Sequence, residues 1–274
     1  MKKAILVTSF GTSYEDTRVK TLDAIENKIR EEFGNEYEVR RAYTSHRIIK
    51  KLKERDGILI DTPKEAVEKL KSEGFDEVIV QPTHIIPGEE YDYIKGAITH
   101  NFRGEFKKLS VGRPLLYYKC EEEGPDDYSE VVEAVSCEIN KHENIVFMGH
   151  GTNHPVTAAY SCLENVMRDH GFDNAHVATV EGYPTLERAI ESLEEKGAKE
   201  VTLIPFLIVA GDHARNDMAS DEEDSWKSIL ESKGYKVNIL LKGLGEYEGI
   251  QKIFVNRVKD AISEEFKTLG KTKK

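Results

Sequence analysis

Short apolar runs alternate with charged, amphipathic stretches along the whole chain. β-Branched runs predict strands at 3–9, 37–43, 76–82 and 109–115, then at 144–149, 175–180, 200–206 and 236–241. Helical patterns lie between them, at 15–33, 63–73, 88–103, 126–140, 155–170, 185–196, 213–232 and 247–268. In the first of these, Val19, Leu22, Ile25, Ile29 and Phe33 recur every three or four residues, which is one helix face. Asp61-Thr62-Pro63 is a helix start, with Thr62 as N-cap, Pro63 at the first helical position and Glu65 at the third. Gly74 ends that helix and Val78-Ile79-Val80 begins a strand.

Strand–helix alternation predicts an α/β protein whose parallel sheets are covered on both faces. Ala4–Val7 and Ile145–Phe147 are continuously apolar, as doubly buried strands require. About four strand–helix units fall in each half. Glu121–Asp127 is the most linker-like stretch, so the expected domains are 1–125 and 126–274, with the last helix a candidate to pack back on the first. The halves also resemble each other. Lys69–Glu90 aligns on Ser192–His213 without a gap, at a constant offset of 123, and seven of the 22 pairs are identical, among them Gly74/Gly197, Pro82/Pro205 and Gly88/Gly211. A second match sets Phe10-Gly11-Thr12 against His150-Gly151-Thr152. The expected architecture is therefore two similar, doubly wound domains.

Composition narrows the function. Lys and Arg number 39 against 50 Asp and Glu, a net charge of −11, which argues against nucleic-acid binding. With 39% hydrophobic and 32% charged residues the chain reads as globular. Its longest apolar runs fall far short of the roughly 20 residues a membrane span needs. No signal-peptide pattern is present, and Cys120, Cys137 and Cys162 lack metal-site spacing. The expectation is a cytoplasmic protein with reduced thiols. Glycine-rich phosphate loops, a Gly-x-Ser-x-Gly elbow and a His-Glu-x-x-His helix are all missing.

In parallel α/β sheets ligands gather at the carboxyl ends of strands. Four segments fall there: Ser9–Ser13, His84–Glu90, Gly149–Thr152 and Gly211–His213. The internal alignment sets Glu90 opposite His213 and Phe10 opposite His150. Imidazoles and a carboxylate together suit a divalent ion such as Co²⁺, Ni²⁺, Zn²⁺ or Fe²⁺, and they accept protons near neutral pH. Each residue also has a structural reading. His150 could satisfy the core, His213 could open a helix behind an Asp212 N-cap, and Glu89 and Glu90 could favour a helix dipole. His84 could line a cleft or be a satisfied histidine. His154 reads as a helix-start residue and Tyr160 as core. Asp221–Asp224 reads as a solvated helix face.

The ordered motifs bring a family resemblance. Gly211-Asp212-His213-Ala214-Arg215-Asn216-Asp217-Met218-Ala219-Ser220-Asp221, followed by Asp224-Ser225-Trp226-Lys227, closely resembles the signature of the CbiK family of anaerobic sirohydrochlorin cobaltochelatases, within the class II chelatases. The likeness also takes in Ser9–Tyr14, Arg55–Ile58, Asp61–Pro63, His84–Ile86, Gly88–Tyr91, Val146–Gly151 and Gly243–Glu246, so it spans essentially the whole chain. It implies two similar α/β domains with a cleft between them. The implied activity is nucleotide-independent insertion of Co²⁺ into sirohydrochlorin in cobalamin synthesis.

In that family two histidines and a glutamate hold the metal and assist deprotonation; they match His150, His213 and Glu90. Phe10, Thr12, Ser13 and His84 are candidates to line the tetrapyrrole cleft, with Thr12 and Ser13 donating from a helix start. No prosthetic group is expected, and Co²⁺ is a substrate. The expected partners are the tetrapyrrole and the metal, with no nucleic acid and no membrane, and a homo-oligomer is left open. Alternatives are insertion of Fe²⁺ or Ni²⁺, a non-catalytic metal or tetrapyrrole carrier, and a generic sugar or phosphate binder. An acidic chain attracts the cation but opposes a polycarboxylate macrocycle. Local compensation is then needed, for which Arg55 and Arg215 are candidates.

Overall fold

The computed structural model describes residues 1–269, and 270–274 lie outside the described residues. The chain forms two compact units. Unit 1 is Met1–Asp127 together with the chain from Gln251 onward, and unit 2 is Tyr128–Ile250.

Unit 1 runs β1 (Lys2–Ser9), α1 (Glu15–Lys20), α2 (Leu22–Phe33), β2 (Glu38–Tyr43), α3 (His46–Asp56), α4 (Pro63–Ser72), β3 (Phe75–Pro82), α5 (Glu89–Asn101) and β4 (Lys108–Val111). Its sheet has the order β2-β1-β3-β4, with every pairing parallel. Ala4, Leu6, Val78 and Val80 pack under Ala66, Val67 and Leu70 of α4 and Ile94 and Ile98 of α5. Ile5, Val7 and Ile79 alternate to the other face and are equally buried. Each such side chain contributes roughly 1.5–3 kcal/mol on burial.

Unit 2 repeats the plan. After α6 (Asp127–Ile139) come β5 (Ile145–Gly151), α7 (Ala158–Asp169), β6 (Ala175–Glu181), α8 (Leu186–Glu195), β7 (Glu200–Pro205), α9 (Trp226–Ser232) and β8 (Lys236–Ile239). The order is β6-β5-β7-β8, again all parallel. Val146, Met148, Val201 and Leu203 pack under Leu186, Ala189, Ile190 and Leu193 of α8 and under Trp226 and Leu230 of α9. The chain closes with α10 (Glu248–Ser263), whose residues from Gln251 belong to unit 1. There Arg113 and Arg257 both pair with the fully buried Asp127, and Arg113 also reaches Asp260 at 2.6 Å. All four of these residues belong to unit 1.

The α/β class and the duplicated plan agree with the sequence reading, and Thr62 forms the expected capping box with Glu65. Several boundaries differ. The helix expected over 15–33 breaks at Thr21, whose buried hydroxyl donates to the Thr17 carbonyl (2.6 Å), and Val19 is left exposed. The strand expected over 109–115 stops at Val111; Gly112 N–H still donates to Val80 O, but Pro114 has no N–H to continue the ladder. Helix α3 is absent from the predicted set because its Lys/Arg-rich sequence buries only Leu52. The segment 213–232 is a single π-helical turn (Ala214–Met218), an irregular stretch, and then α9. Asp221–Asp224 lies in that irregular stretch, exposed, and not on a helix face.

Candidate metal site of unit 2

The position of the site follows from the strand order. In unit 2 the chain leaves β5 toward β6 but leaves β7 toward β8, so neighbouring strands β5 and β7 diverge at their carboxyl ends. Such a switch point opens a crevice. Pairing of β5 with β7 stops at Met148↔Pro205, whereas pairing with β6 continues to Gly151↔Glu181. His150 lies beyond the point where β7 departs. Side chains alternate along a strand, so His150 continues the row Val146, Met148. That is the face covered by Ala210, Ala214 and Met218.

The backbone around His150 leaves little room for substitution. Gly151 has φ +79°, and a Cβ there would lie 1.6 Å from the Glu181 carbonyl oxygen. The Gly149 Cα faces the buried Tyr160 ring, where a Cβ would come within 2.5 Å. Tyr160 is a core residue, as expected, and its hydroxyl accepts the Gly151 N–H at 3.4 Å. His154 caps the short turn Pro155–Thr157, its Nδ1 accepting the Val156 N–H.

After β7 the chain reaches Gly211, whose carbonyl accepts the Arg215 N–H at 3.0 Å. Gly211 therefore occupies the cap position, and Asp212, expected there, is already helical. Ala214 and Met218 bury one side of the turn and carry His213 to the β5 face. π-Turns are uncommon and frequent at functional sites.

The His150 and His213 rings meet edge to face, with centroids 4.7 Å apart and planes at 87°. With metal–nitrogen bonds of ~2.1 Å a ring centre sits ~3.2 Å from the ion, so two imidazoles at adjacent positions have centres about 4.5–5 Å apart. Each ring is also held at one nitrogen. His150 Nδ1 lies 3.0 Å from Gly151 O, and His213 Nδ1 lies 2.5 Å from Asp217 Oδ2. A carbonyl or carboxylate oxygen only accepts, so both Nδ1 atoms carry the proton. A ring that carries its single proton at Nδ1 keeps its lone pair at Nε2, the form a metal needs. Among the described residues of this unit no third His, Cys, Asp or Glu completes a cluster with them, so an ion held here keeps open positions. Asp217, unassigned in the sequence reading, was detectable from its spacing: residues four apart share a helix face.

Unit 1 places the other candidates at its own switch point. Glu90 is the second residue of α5, and Gly88 O accepts the Asp92 N–H at 3.0 Å, as Gly211 O does for Arg215. Glu90 thus stands in unit 1 where His213 stands in unit 2. Burial first, then the Glu90 and Glu65 carboxylates, raise the pKa of the nearby Tyr93 hydroxyl. Phe10, the counterpart of His150, is half exposed just beyond β1.

Thr12 and Ser13 are buried and precede α1, without reaching its first turn. Thr12 Oγ1 accepts the Tyr14 N–H, and Ser13 O is held by Arg55 at 2.6 Å. The helix start expected of them begins two residues later. Arg55 also pairs with Asp56 at 2.6 Å. The His84 ring nitrogens are buried without a hydrogen-bond partner among the described residues, and burial pushes its pKa down to about 4. His84 is therefore neutral near pH 7 and is not a satisfied histidine.

The profile of a protein family described as Cobalt chelatase (CbiK) matches residues 3–263. Sirohydrochlorin cobaltochelatase of Salmonella typhimurium is 41% identical over 266 residues, covering 96% of this chain and 97% of that protein. Sirohydrochlorin cobaltochelatase CbiKC of Nitratidesulfovibrio vulgaris is 34% identical over 271 residues, 96% of this chain and 91% of that one. Among solved structures, the sirohydrochlorin chelatase SirB of Bacillus subtilis subspecies spizizenii in complex with cobalt superposes with a TM-score of 0.64 at 15% identity, over 97% of both chains. SirB of Bacillus subtilis with Fe³⁺ gives 0.63 at 15% identity, over 97% of this chain and 98% of that one. At that identity the two SirB structures show a shared fold.

Proposed function

The chain belongs to the cobalt chelatase (CbiK) family, and from that premise we propose that it inserts Co²⁺ into sirohydrochlorin, with His150 and His213 as the metal-holding side chains. The observation that carries the reading is the imidazole pair at the unit 2 switch point, each ring hydrogen-bonded through Nδ1, which leaves Nε2 for a metal. The names of the relatives supply the substrate.

Insertion has three physical requirements. The ion must lose water, the pyrrole nitrogens must turn their lone pairs toward it, and two N–H protons must leave. Two neutral imidazoles hold the ion through borderline nitrogen donors while leaving positions for the macrocycle nitrogens. Glu90, half-buried in the first turn of α5, is the assigned proton acceptor. That role rests on the family motif and on its equivalence to His213. Phe10 offers an exposed ring for packing on the macrocycle face. In this reading insertion proceeds without a nucleotide.

Imidazole and carboxylate donors discriminate weakly among Co²⁺, Fe²⁺ and Ni²⁺, so the test runs the three in parallel. Sirohydrochlorin turnover followed by absorbance should be fastest with Co²⁺. Faster Fe²⁺ or Ni²⁺ insertion would reassign the metal. Binding of sirohydrochlorin and metal with no turnover at all would make the chain a carrier and defeat the chelatase reading.

A further inference from the structure

The two imidazoles are fixed by different kinds of acceptor. His150 Nδ1 donates to a backbone carbonyl, that of its own neighbour Gly151. His213 Nδ1 donates to a side chain, Asp217 Oδ2, at 2.5 Å. The Asp217 carboxylate is nearly half exposed, as is His213, and no Lys or Arg is ion-paired with it among the described residues. Its neighbour Asn216 is engaged elsewhere, donating from Nδ2 to Asp212 Oδ1 at 3.1 Å. The one turn thus carries two i,i+4 pairs, and the second of them joins a carboxylate to an imidazole at the crevice.

From this we infer that Asp217 is a positioning residue for metal capture: it holds His213 in the Nδ1–H tautomer with Nε2 turned to the ion. The inference rests on His213 being a metal-holding side chain, as proposed above. A carboxylate is suited to the task because it has no donor of its own. An amide in its place could present N–H to Nδ1, which would move the ring proton to Nε2 and block ligation. Groups that orient a ligating histidine in this way are typically worth 10- to 100-fold in metal affinity. The fold does not depend on the pair. Asp217 is partly exposed, and the turn is anchored by Ala214 and Met218 on its buried side. Asymmetry is the second consequence. The acceptor for His150 is main chain and survives any substitution, whereas the acceptor for His213 is removable.

The test uses the full chain loaded with Co²⁺ alone, read by visible absorption for affinity and by proton NMR for the paramagnetically shifted, exchangeable ring N–H signals. The wild-type chain should show two such signals, one for each ligating ring. Asp217→Ala and Asp217→Asn should each lower Co²⁺ affinity by about 10- to 100-fold and lose or displace one signal while the other persists. Asp217→Glu, which restores a carboxylate, should recover affinity to within a few-fold. A residue that merely shaped the turn would leave both signals in place. His213→Ala separates the two claims. If His213→Ala weakens Co²⁺ binding while Asp217→Ala keeps wild-type affinity and both signals, the positioning role is overturned and the metal site stands. If His213→Ala leaves affinity and both signals unchanged, the metal site itself fails.

Discussion

Units 1 and 2 share one strand order, yet their strand ends carry different chemistry. Beyond β1 stands exposed Phe10, and beyond β5 stands His150. Two residues after the capping Gly88 stands Glu90, and two after Gly211 stands His213. The backbone devices are the same in both halves. Gly11 and Gly151 both have positive φ, +97° and +79°, and the strand-ending contacts Thr83 N–H to Thr8 O and Phe206 N–H to Met148 O are equivalent. The duplicated scaffold therefore supplies the crevice twice, and side-chain identity decides what each crevice does. Unit 2 keeps two imidazoles hydrogen-bonded through Nδ1. Unit 1 keeps a carboxylate, an exposed aromatic ring and a neutral histidine with buried ring nitrogens.

The comparison can be broken first at the paired glycines. A Cβ at Gly151 would run into a backbone carbonyl, and at Gly11 it would meet the Tyr43 ring at 2.5 Å. Positive φ costs a side chain roughly 1–2 kcal/mol by itself, and a clash with main chain adds to that. Gly151→Ala should lose at least about 3 kcal/mol in urea unfolding. Gly11→Ala should lose less, because a ring can shift where a carbonyl cannot. Gly197→Ala, with φ +65° and open space around it, should lose only about 1 kcal/mol. Equal losses at all three would mean that the strand-end turns are not under the packing constraint described.

A smaller effect distinguishes the histidines of the two units. The folded-state pKa of His84, about 4, lies below the ordinary value of 6.5, so the unfolded chain takes up the proton first. The stability at stake is fully present above pH 6.5 and is lost as pH falls toward 4, by on the order of 3 kcal/mol in all. His84→Phe should flatten the pH dependence of unfolding by that amount across the same window. An unchanged slope would show that His84 is accessible to protons in the folded state, and the contrast between its buried ring nitrogens and the part-exposed side chains of His150 and His213 would fall.

Much of this was legible in the sequence. The eight strands, the capping box at Thr62 and the offset-123 repeat follow from periodicity and punctuation, which are local signals. The breaks were not legible, because Thr21 ends a helix through its own buried side chain and the segment after His213 turns once in π form. Both depend on tertiary packing. Residue types at the strand ends pointed to His150, His213 and Glu90. The Nδ1 contact of each ring, the Asp217 carboxylate and the burial of the His84 ring nitrogens depend on tertiary structure. So does the burial of Thr12 and Ser13.

The central claim is that both unit 2 imidazoles hold the substrate metal. X-ray absorption of the Co²⁺-loaded chain counts imidazoles bound to the ion directly. The account predicts two in the wild-type chain and one in each of His150→Ala and His213→Ala. No imidazole in the wild-type chain, or an unchanged count in both variants, would contradict it.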